Sequence, residues 1–135
     1  MKILLMTLCS TMILASLNPS TGRAAEADKD VKHVNAAGAA KLLQENKEVT
    51  VLDVRTADEF KDGHIAKAKN IDFRSPDFAE KLGKLDRDKT YLVHCGSGRR
   101  STSSLAAFKK LGFKSVVHLD GGLTGWQKAG NPVEK

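Results

Sequence analysis

From residue 31 onward, short β-branched and apolar runs alternate with segments whose apolar residues recur every three or four positions. The first pattern is that of buried strands, the second that of helices with one covered face. Lys32–Val34 predicts a short strand. Asn35 follows as an N-cap to a helix over Ala36–Glu45. Val49–Val54 (VTVLDV) predicts a strand, and Thr56-Ala-Asp-Glu59 has the capping-box spacing that opens a short helix ending at Gly63. Asn70–Asp72 is a further strand candidate, and Ser75-Pro76 predicts an N-cap with proline at the first helical position, running towards Leu82. Thr90–His94 is the next buried strand, followed by a helix expected from Ser101 and closed by Gly112. Ser115–Leu119 completes the strands, and Asp120-Gly121-Gly122 turns the chain into a last helix carrying Leu123 and Trp126. Alternation of this kind predicts an α/β domain: a central, mostly parallel five-stranded sheet with helices on both faces. Ligands of such sheets bind beyond the carboxyl ends of the strands, which is where Cys95 falls.

The amino-terminal pattern is different. Lys2 precedes a charge-free stretch from Ile3 to Leu17, then come the breakers Asn18, Pro19 and Gly22 and the small residues Ala24, Ala25 and Ala27. Residues 1–27 therefore predict a secretory signal peptide, cleaved before Asp28 or, as a second site, before Ala25. The alternative is an uncleaved anchor, against which the apolar run is short for a membrane span. The domain is expected over residues 28–135, periplasmic or secreted, with no stable membrane insertion after cleavage.

Composition narrows the partners. The 135 residues carry a formal charge of +6, and losing two basic residues and one acidic residue with the signal leaves +5. The lysines are dispersed, without the clustered stripe or aromatic interleaving of a nucleic-acid binder. Small anions are the expected partners, and the domain is large enough to be a monomer. His33, His64, His94 and His118 show no metal-ligand spacing, so no metal is expected.

Cleavage also removes Cys9, which leaves Cys95 as the only thiol. A single cysteine cannot be an internal staple, so it is either a small buried hydrophobe or a reactive group. The next five residues favour reactivity. Gly96 and Gly98 let successive backbone amides turn inward as an anion nest, and the next helix adds its positive end. Arg99 and Arg100 add two cations. These features lower a thiol pKa and would hold an oxyanion, and by themselves they leave sulfur and phosphate chemistry both open.

The segment Val93-His94-Cys95-Gly96-Ser97-Gly98-Arg99-Arg100-Ser101 resembles the active-site loop of rhodanese (thiosulfate sulfurtransferase) domains, close to C-x-x-G-x-R-S/T. Two further segments are similar to the signatures of that family. One is Asp53-Val54-Arg55 through Glu59-Phe60, Gly63-His64-Ile65 and Ala68-Lys69-Asn70-Ile71; the other is Leu119-Asp120-Gly121-Gly122 with Trp126, Gly130 and Pro132-Val133. The likeness spans residues 31–133, with one departure, Lys67 in place of the usual glycine. It implies a sulfurtransferase of exported type in which Cys95 takes the sulfane sulfur of thiosulfate as a persulfide. The sulfur then passes to a thiophile such as cyanide, a thiol or an acceptor protein, with no metal or organic cofactor. It further implies that the amides of Gly96, Ser97, Gly98, Arg99 and Arg100 bind the persulfide and sulfonate oxygens, and that Arg55 binds the sulfonate.

Arg55 is also spaced to pair with Glu59 at i, i+4, and Arg99 is either an exposed cation or a substrate-steering group. His94 is expected to pack rather than act as a base, since strand alternation turns it away from Cys95. His64, His118 and Trp126 are expected to be structural. The rival chemistries are a sulfur-carrier or redox partner and a cysteine phosphatase or arsenate reductase. The latter loops are C-x5-R, and here that position is Ser101, one residue past Arg100.

Overall fold

The computed structural model describes residues 31–135; the expected signal segment lies outside them. The strands are β1 (Val31–Val34), β2 (Thr50–Asp53), β3 (Lys69–Asn70), β4 (Thr90–His94) and β5 (Ser115–Leu119). They form one sheet in the order β1-β5-β4-β2-β3, and every pairing is parallel. The helices are α1 (Ala36–Glu45), α2 (Ala57–Asp62), α3 (Phe78–Gly83), α4 (Arg99–Lys110) and α5 (Gly122–Lys128). Among the described residues no helix is long and apolar enough to cross a membrane.

Strand alternation divides the core between two faces. Leu52, Val54, Tyr91, Val93, Cys95 and Val116 pack with Phe78 and Leu82 of α3 and Leu105 and Phe108 of α4. Val51, Leu92, Val117 and Leu119 face the other way, against Ala39 of α1 and Leu123 and Trp126 of α5. Trp126 is a core residue, its indole N–H donating to the Pro132 carbonyl at 2.9 Å.

Local signals explain most boundaries. The Asn35 side chain accepts from Gly38 N–H and starts α1. Thr56 and Glu59 form the reciprocal capping box of α2. The start of β1, both ends of β2 and the start of β3 differ from expectation by one residue, and three boundaries differ by two. Helix α3 begins at Phe78, because the Ser75 hydroxyl donates to the Asp77 carboxylate and Phe78 N–H to the Ser75 carbonyl, which leaves Pro76 in a turn. Helix α4 begins at Arg99 rather than Ser101, because Gly98 takes a left-handed φ of 109° and reverses the chain earlier. Strand β3 ends at Asn70, although Ile71 and Phe73 still donate to the backbone of β2 and the residue after it at 3.0 Å. Lys67, which stands where the resembled family usually has glycine, holds φ 63°, a left-handed conformation taken here by a residue carrying a side chain.

One contact between layers positions the site. The amino terminus of α5 sits against the loop after β4, with Leu123 N–H donating to the Cys95 carbonyl at 2.8 Å and Thr124 N–H to the Gly96 carbonyl at 3.0 Å. Gly122 makes that approach possible. A Cβ there would lie 2.5 Å from the Gly96 oxygen and 2.6 Å from the Cys95 oxygen, both backbone atoms with little freedom to move. Gly122→Ala is therefore expected to destabilise the domain by about 2–4 kcal/mol, combining backbone strain with the clash. Gly112→Ala, at φ 80° in open space, is expected to cost only the ~1–2 kcal/mol of the backbone conformation. Equal losses for the two variants in urea titrations would show that close approach is not the constraint.

Candidate active site

Cys95 follows β4 directly and is 1% exposed. Its sulfur is nevertheless surrounded by donors. Gly98 N–H donates to Sγ at 3.1 Å, and the Ser101 hydroxyl donates at 3.3 Å. Burial pushes the thiol up, but the Ser101 hydroxyl and the amides of Ser101, Gly98 and Ser97 outweigh it and hold the thiol below its ordinary value. Helix α4 has no side-chain cap, because Gly98 occupies the cap position. An amino-terminal helix amide that a capping serine or aspartate would take is thus turned to the sulfur instead. The thiol is buried, but it is set among hydrogen-bond donors as well as hydrocarbons.

The arginines take separate places. Arg55, 6% exposed, is tied to Asp53 through Nε and Nη2 at 2.7–3.0 Å, and Nη2 also donates to the Gly63 carbonyl at 2.7 Å. The expected Arg55–Glu59 pair is therefore corrected: Asp53 is closer in the fold, and Glu59 has another partner. The Asn70 side chain donates to the Asp53 and Arg55 carbonyls at 3.0 and 2.8 Å, which fixes the backbone beneath this pair. Glu59 receives both guanidinium nitrogens of Arg100 at 2.7 and 2.9 Å, while its own carboxylate caps Thr56. Arg100 stays beside the loop, since a Cβ at Gly96 would meet its Nη2 at 3.4 Å. Arg99 is exposed and points elsewhere, lining a shallow depression with Ser97, Thr102, His118 and Asp120.

The histidines divide as well. His94 is fully buried, with Nδ1 at 3.0 Å from the Cys95 carbonyl and Nε2 without a hydrogen-bond partner. Burial holds its pKa below the ordinary value, so the ring is neutral and packs behind the loop, as alternation predicts. His64 stacks on Phe60 at 3.8 Å and is structural. His118 is more than that. Its Nε2 lies 2.7 Å from Ser101 Oγ and its Nδ1 2.7 Å from Asp120 Oδ1, an oxygen that His33 Nδ1 also approaches to 2.8 Å.

Sequence reasoning missed Ser101, His118 and Glu59 as neighbours of the site. Strand order joins β5 to β4, and register sets His118 opposite Val93, on the face that also carries Cys95. His33, His118 and Asp120 bring three ligand atoms within 4.8 Å of one another, which the sequence spacing concealed. Ligands shared on a tetrahedral zinc sit roughly 3.3 Å apart. The two nitrogens at 2.7 and 2.8 Å from one carboxylate oxygen are instead at hydrogen-bonding distances.

Because Arg100 binds it, Glu59 has its pKa lowered from 4.5 to about 2. A depressed folded-state carboxyl stabilises the fold above its unfolded pKa and loses that contribution as pH falls through the folded value. Glu59→Gln is expected to remove the part of the acid-induced destabilisation that falls between pH 4.5 and about 2. Urea titrations of both proteins across that window check this; parallel pH dependence would exclude the pair as its source.

Comparison with known proteins agrees with this geometry. The profile of the family described as Rhodanese-like domain matches residues 36–129. The chain is 38% identical over 90 residues to the probable adenylyltransferase/sulfurtransferase MoeZ of Mycobacterium tuberculosis, covering 67% of this chain but only 23% of that protein. It is 32% identical over 87 residues to the thiosulfate sulfurtransferase GlpE of Shewanella oneidensis, covering 64% of this chain and 84% of the other. The crystal structure of a rhodanese-related protein from Thermoplasma volcanium superposes with a TM-score of 0.68 at 36% identity, over 76% of this chain and 97% of that one. With the parallel five-stranded sheet, the buried cysteine after β4 and the matching profile, this chain belongs to the rhodanese-like domain family.

Proposed function

We propose that the chain is a sulfurtransferase that moves sulfane sulfur from thiosulfate to a thiophilic acceptor through a Cys95 persulfide. The observation that carries this reading is the set of donors on Cys95 Sγ, the Gly98 amide at 3.1 Å and the Ser101 hydroxyl at 3.3 Å, which favour a sulfur anion. The Cys95 thiolate attacks the outer sulfur of thiosulfate, the S–S bond of thiosulfate breaks, and sulfite leaves with the electron pair. An acceptor such as cyanide then attacks the outer sulfur of the persulfide; thiocyanate departs and the thiolate is restored. The loop amides stabilise negative charge at each stage. Sulfur is carried on the protein itself, so the cycle needs no metal or organic cofactor.

Loop length supports sulfur over phosphate. Six residues run from Cys95 to Arg100, and Arg100 is engaged by Glu59 rather than held open for a tetrahedral oxyanion. Arg99 is available to steer an anionic donor from solvent, and Arg55, which ties the end of β2 to the Gly63 carbonyl, is a candidate for sulfonate contact. The proposal includes export of a monomer, with residues 1–27 removed as a signal peptide, so that donor and acceptor meet the enzyme in the periplasm or outside the cell.

Intact mass after incubation with thiosulfate is expected to rise by one sulfur atom, located on Cys95 by peptide mapping. Cys95→Ser is expected to lose sulfur loading and sulfurtransfer to cyanide by at least about 1,000-fold, since a serine hydroxyl is scarcely ionised at neutral pH and stores no sulfane sulfur. Turnover retained in that variant would remove Cys95 from the mechanism. Amino-terminal sequencing of exported protein is expected to read from Asp28, and a sequence starting at Met1 would refute cleavage.

A further inference from the structure

The Cys95 sulfur is buried, and so are the groups that lead away from it. Cys95 is 1% exposed, Ser101 0% and His118 2%, so most of the groups around the thiol are the protein's own. A continuous chain of hydrogen-bonding atoms leads from the sulfur to the surface. Sγ lies 3.3 Å from Ser101 Oγ, Oγ lies 2.7 Å from His118 Nε2, and His118 Nδ1 lies 2.7 Å from Asp120 Oδ1. The chain ends at the surface, where the Asp120 side chain is 55% exposed and also meets His33. We propose that His118 is a positioning residue that holds, through Ser101, the proton released by Cys95, with Asp120 anchoring the imidazolium. The proposal rests on Cys95 being the sulfur-accepting nucleophile.

The proton balance is set by the donors. An ionised Asp120 accepts from Nδ1–H, which leaves the Nε2 lone pair facing Ser101. In the thiol form S–H donates to Ser101 Oγ, and the Ser101 hydroxyl donates to Nε2. On transfer the S–H bond breaks, its proton joins Oγ, and the hydroxyl proton moves to Nε2. The products are a thiolate and an imidazolium, with no change in total charge and no co-reactant. The two hydrogen bonds at Oγ persist with their directions reversed and the Nδ1–H bond to Asp120 is unchanged, so little reorganisation accompanies the shift. Partial burial pushes the Asp120 carboxyl up, but the bonds from His33 and His118 outweigh it and keep the group ionised.

Other charged and titratable groups face this chain from each packed element. On β4, His94 is neutral and turned to the Cys95 carbonyl. From β2 and the segment after it, Asp53 and Arg55 are paired with each other. Arg100 of α4 is paired with Glu59 of α2, Arg99 is exposed, and the Thr102 hydroxyl reaches His118 Nε2 only at 3.5 Å. On β1, His33 shares Asp120. Among the described residues, His118 is the titratable side chain joined to the sulfur by hydrogen bonds through one hydroxyl.

The test is the pH dependence of Cys95 alkylation by iodoacetamide in the full-length chain, followed on the Cys95 peptide by mass spectrometry so that Cys9 does not interfere. No thiosulfate is used, so the result stands apart from the sulfur-loading experiment. His118→Asn and Ser101→Ala are expected to raise the midpoint by about one pH unit, and Ser101→Thr, which keeps the hydroxyl, to restore it. Asp120→Asn gives opposite signs for the two explanations. Acting through space, loss of an anion would lower the midpoint; acting through His118, loss of the imidazolium's anchor raises it. A raised midpoint with an unchanged high-pH plateau supports the proposal. A midpoint that falls or stays in Asp120→Asn overturns it, and this exposed substitution decides the matter even where His118→Asn fails to fold.

Discussion

Two pieces of backbone pressed together at Gly122 govern the geometry of the reactive loop. A peptide unit is planar, and its carbonyl and amide point in opposite directions. When Leu123 and Thr124 of α5 take the carbonyls of Cys95 and Gly96, the amides of Gly96 and Ser97 in those same units are turned to the other side. That is the side of the sulfur, and the Ser97 amide is among the groups that favour the Cys95 thiolate. One donor to the thiol, the Ser97 amide, is thus aimed by a contact on the opposite edge of the loop. A methyl group at residue 122 would break the alignment without touching any group that performs chemistry.

The charged residues serve the same end at different depths. Asp53 and Arg55 form a buried pair, which by itself is weak evidence for stability because desolvation offsets the attraction. Its effect is positional. Arg55 bridges the end of β2 to the Gly63 carbonyl, and Asn70 locks the backbone between them. Glu59 does two jobs at once, capping α2 and fixing the Arg100 guanidinium against the loop. Held in this way, the guanidinium keeps one orientation and has part of its charge neutralised by the carboxylate.

The strands and most helix starts were legible because their signals are local. Val49–Val54 and Thr90–His94 carry β-branched runs, and Asn35 and Thr56 carry their caps. The candidate nucleophile was legible for the same reason, since cysteine, two glycines and two arginines lie within six residues. What escaped was lateral. Nothing in the sequence states that β5 lies beside β4, so His118 read as strand filling and Asp120 as a turn residue. Arg55 read as a partner of Glu59 and not of Asp53, because pairing at i, i+2 requires the bend that succeeds β2. Ser75-Pro76 failed as a helix start for a local reason, the competing bond from Ser75 to Asp77.

Trp126 is the only tryptophan of the chain. It lies one turn along α5 from Leu123, whose amide holds the Cys95 carbonyl, and it is packed in the opposite core layer rather than at the reactive sulfur. Indole emission responds to small changes in packing and in the field of nearby peptide dipoles. A shift of the loop on the proposed sulfur loading of Cys95 would pull on α5 through the Leu123 and Thr124 amides, and so pass to a fluorophore in the opposite core layer. The fold contains its own optical gauge of loop docking, placed where added sulfur cannot quench it by contact.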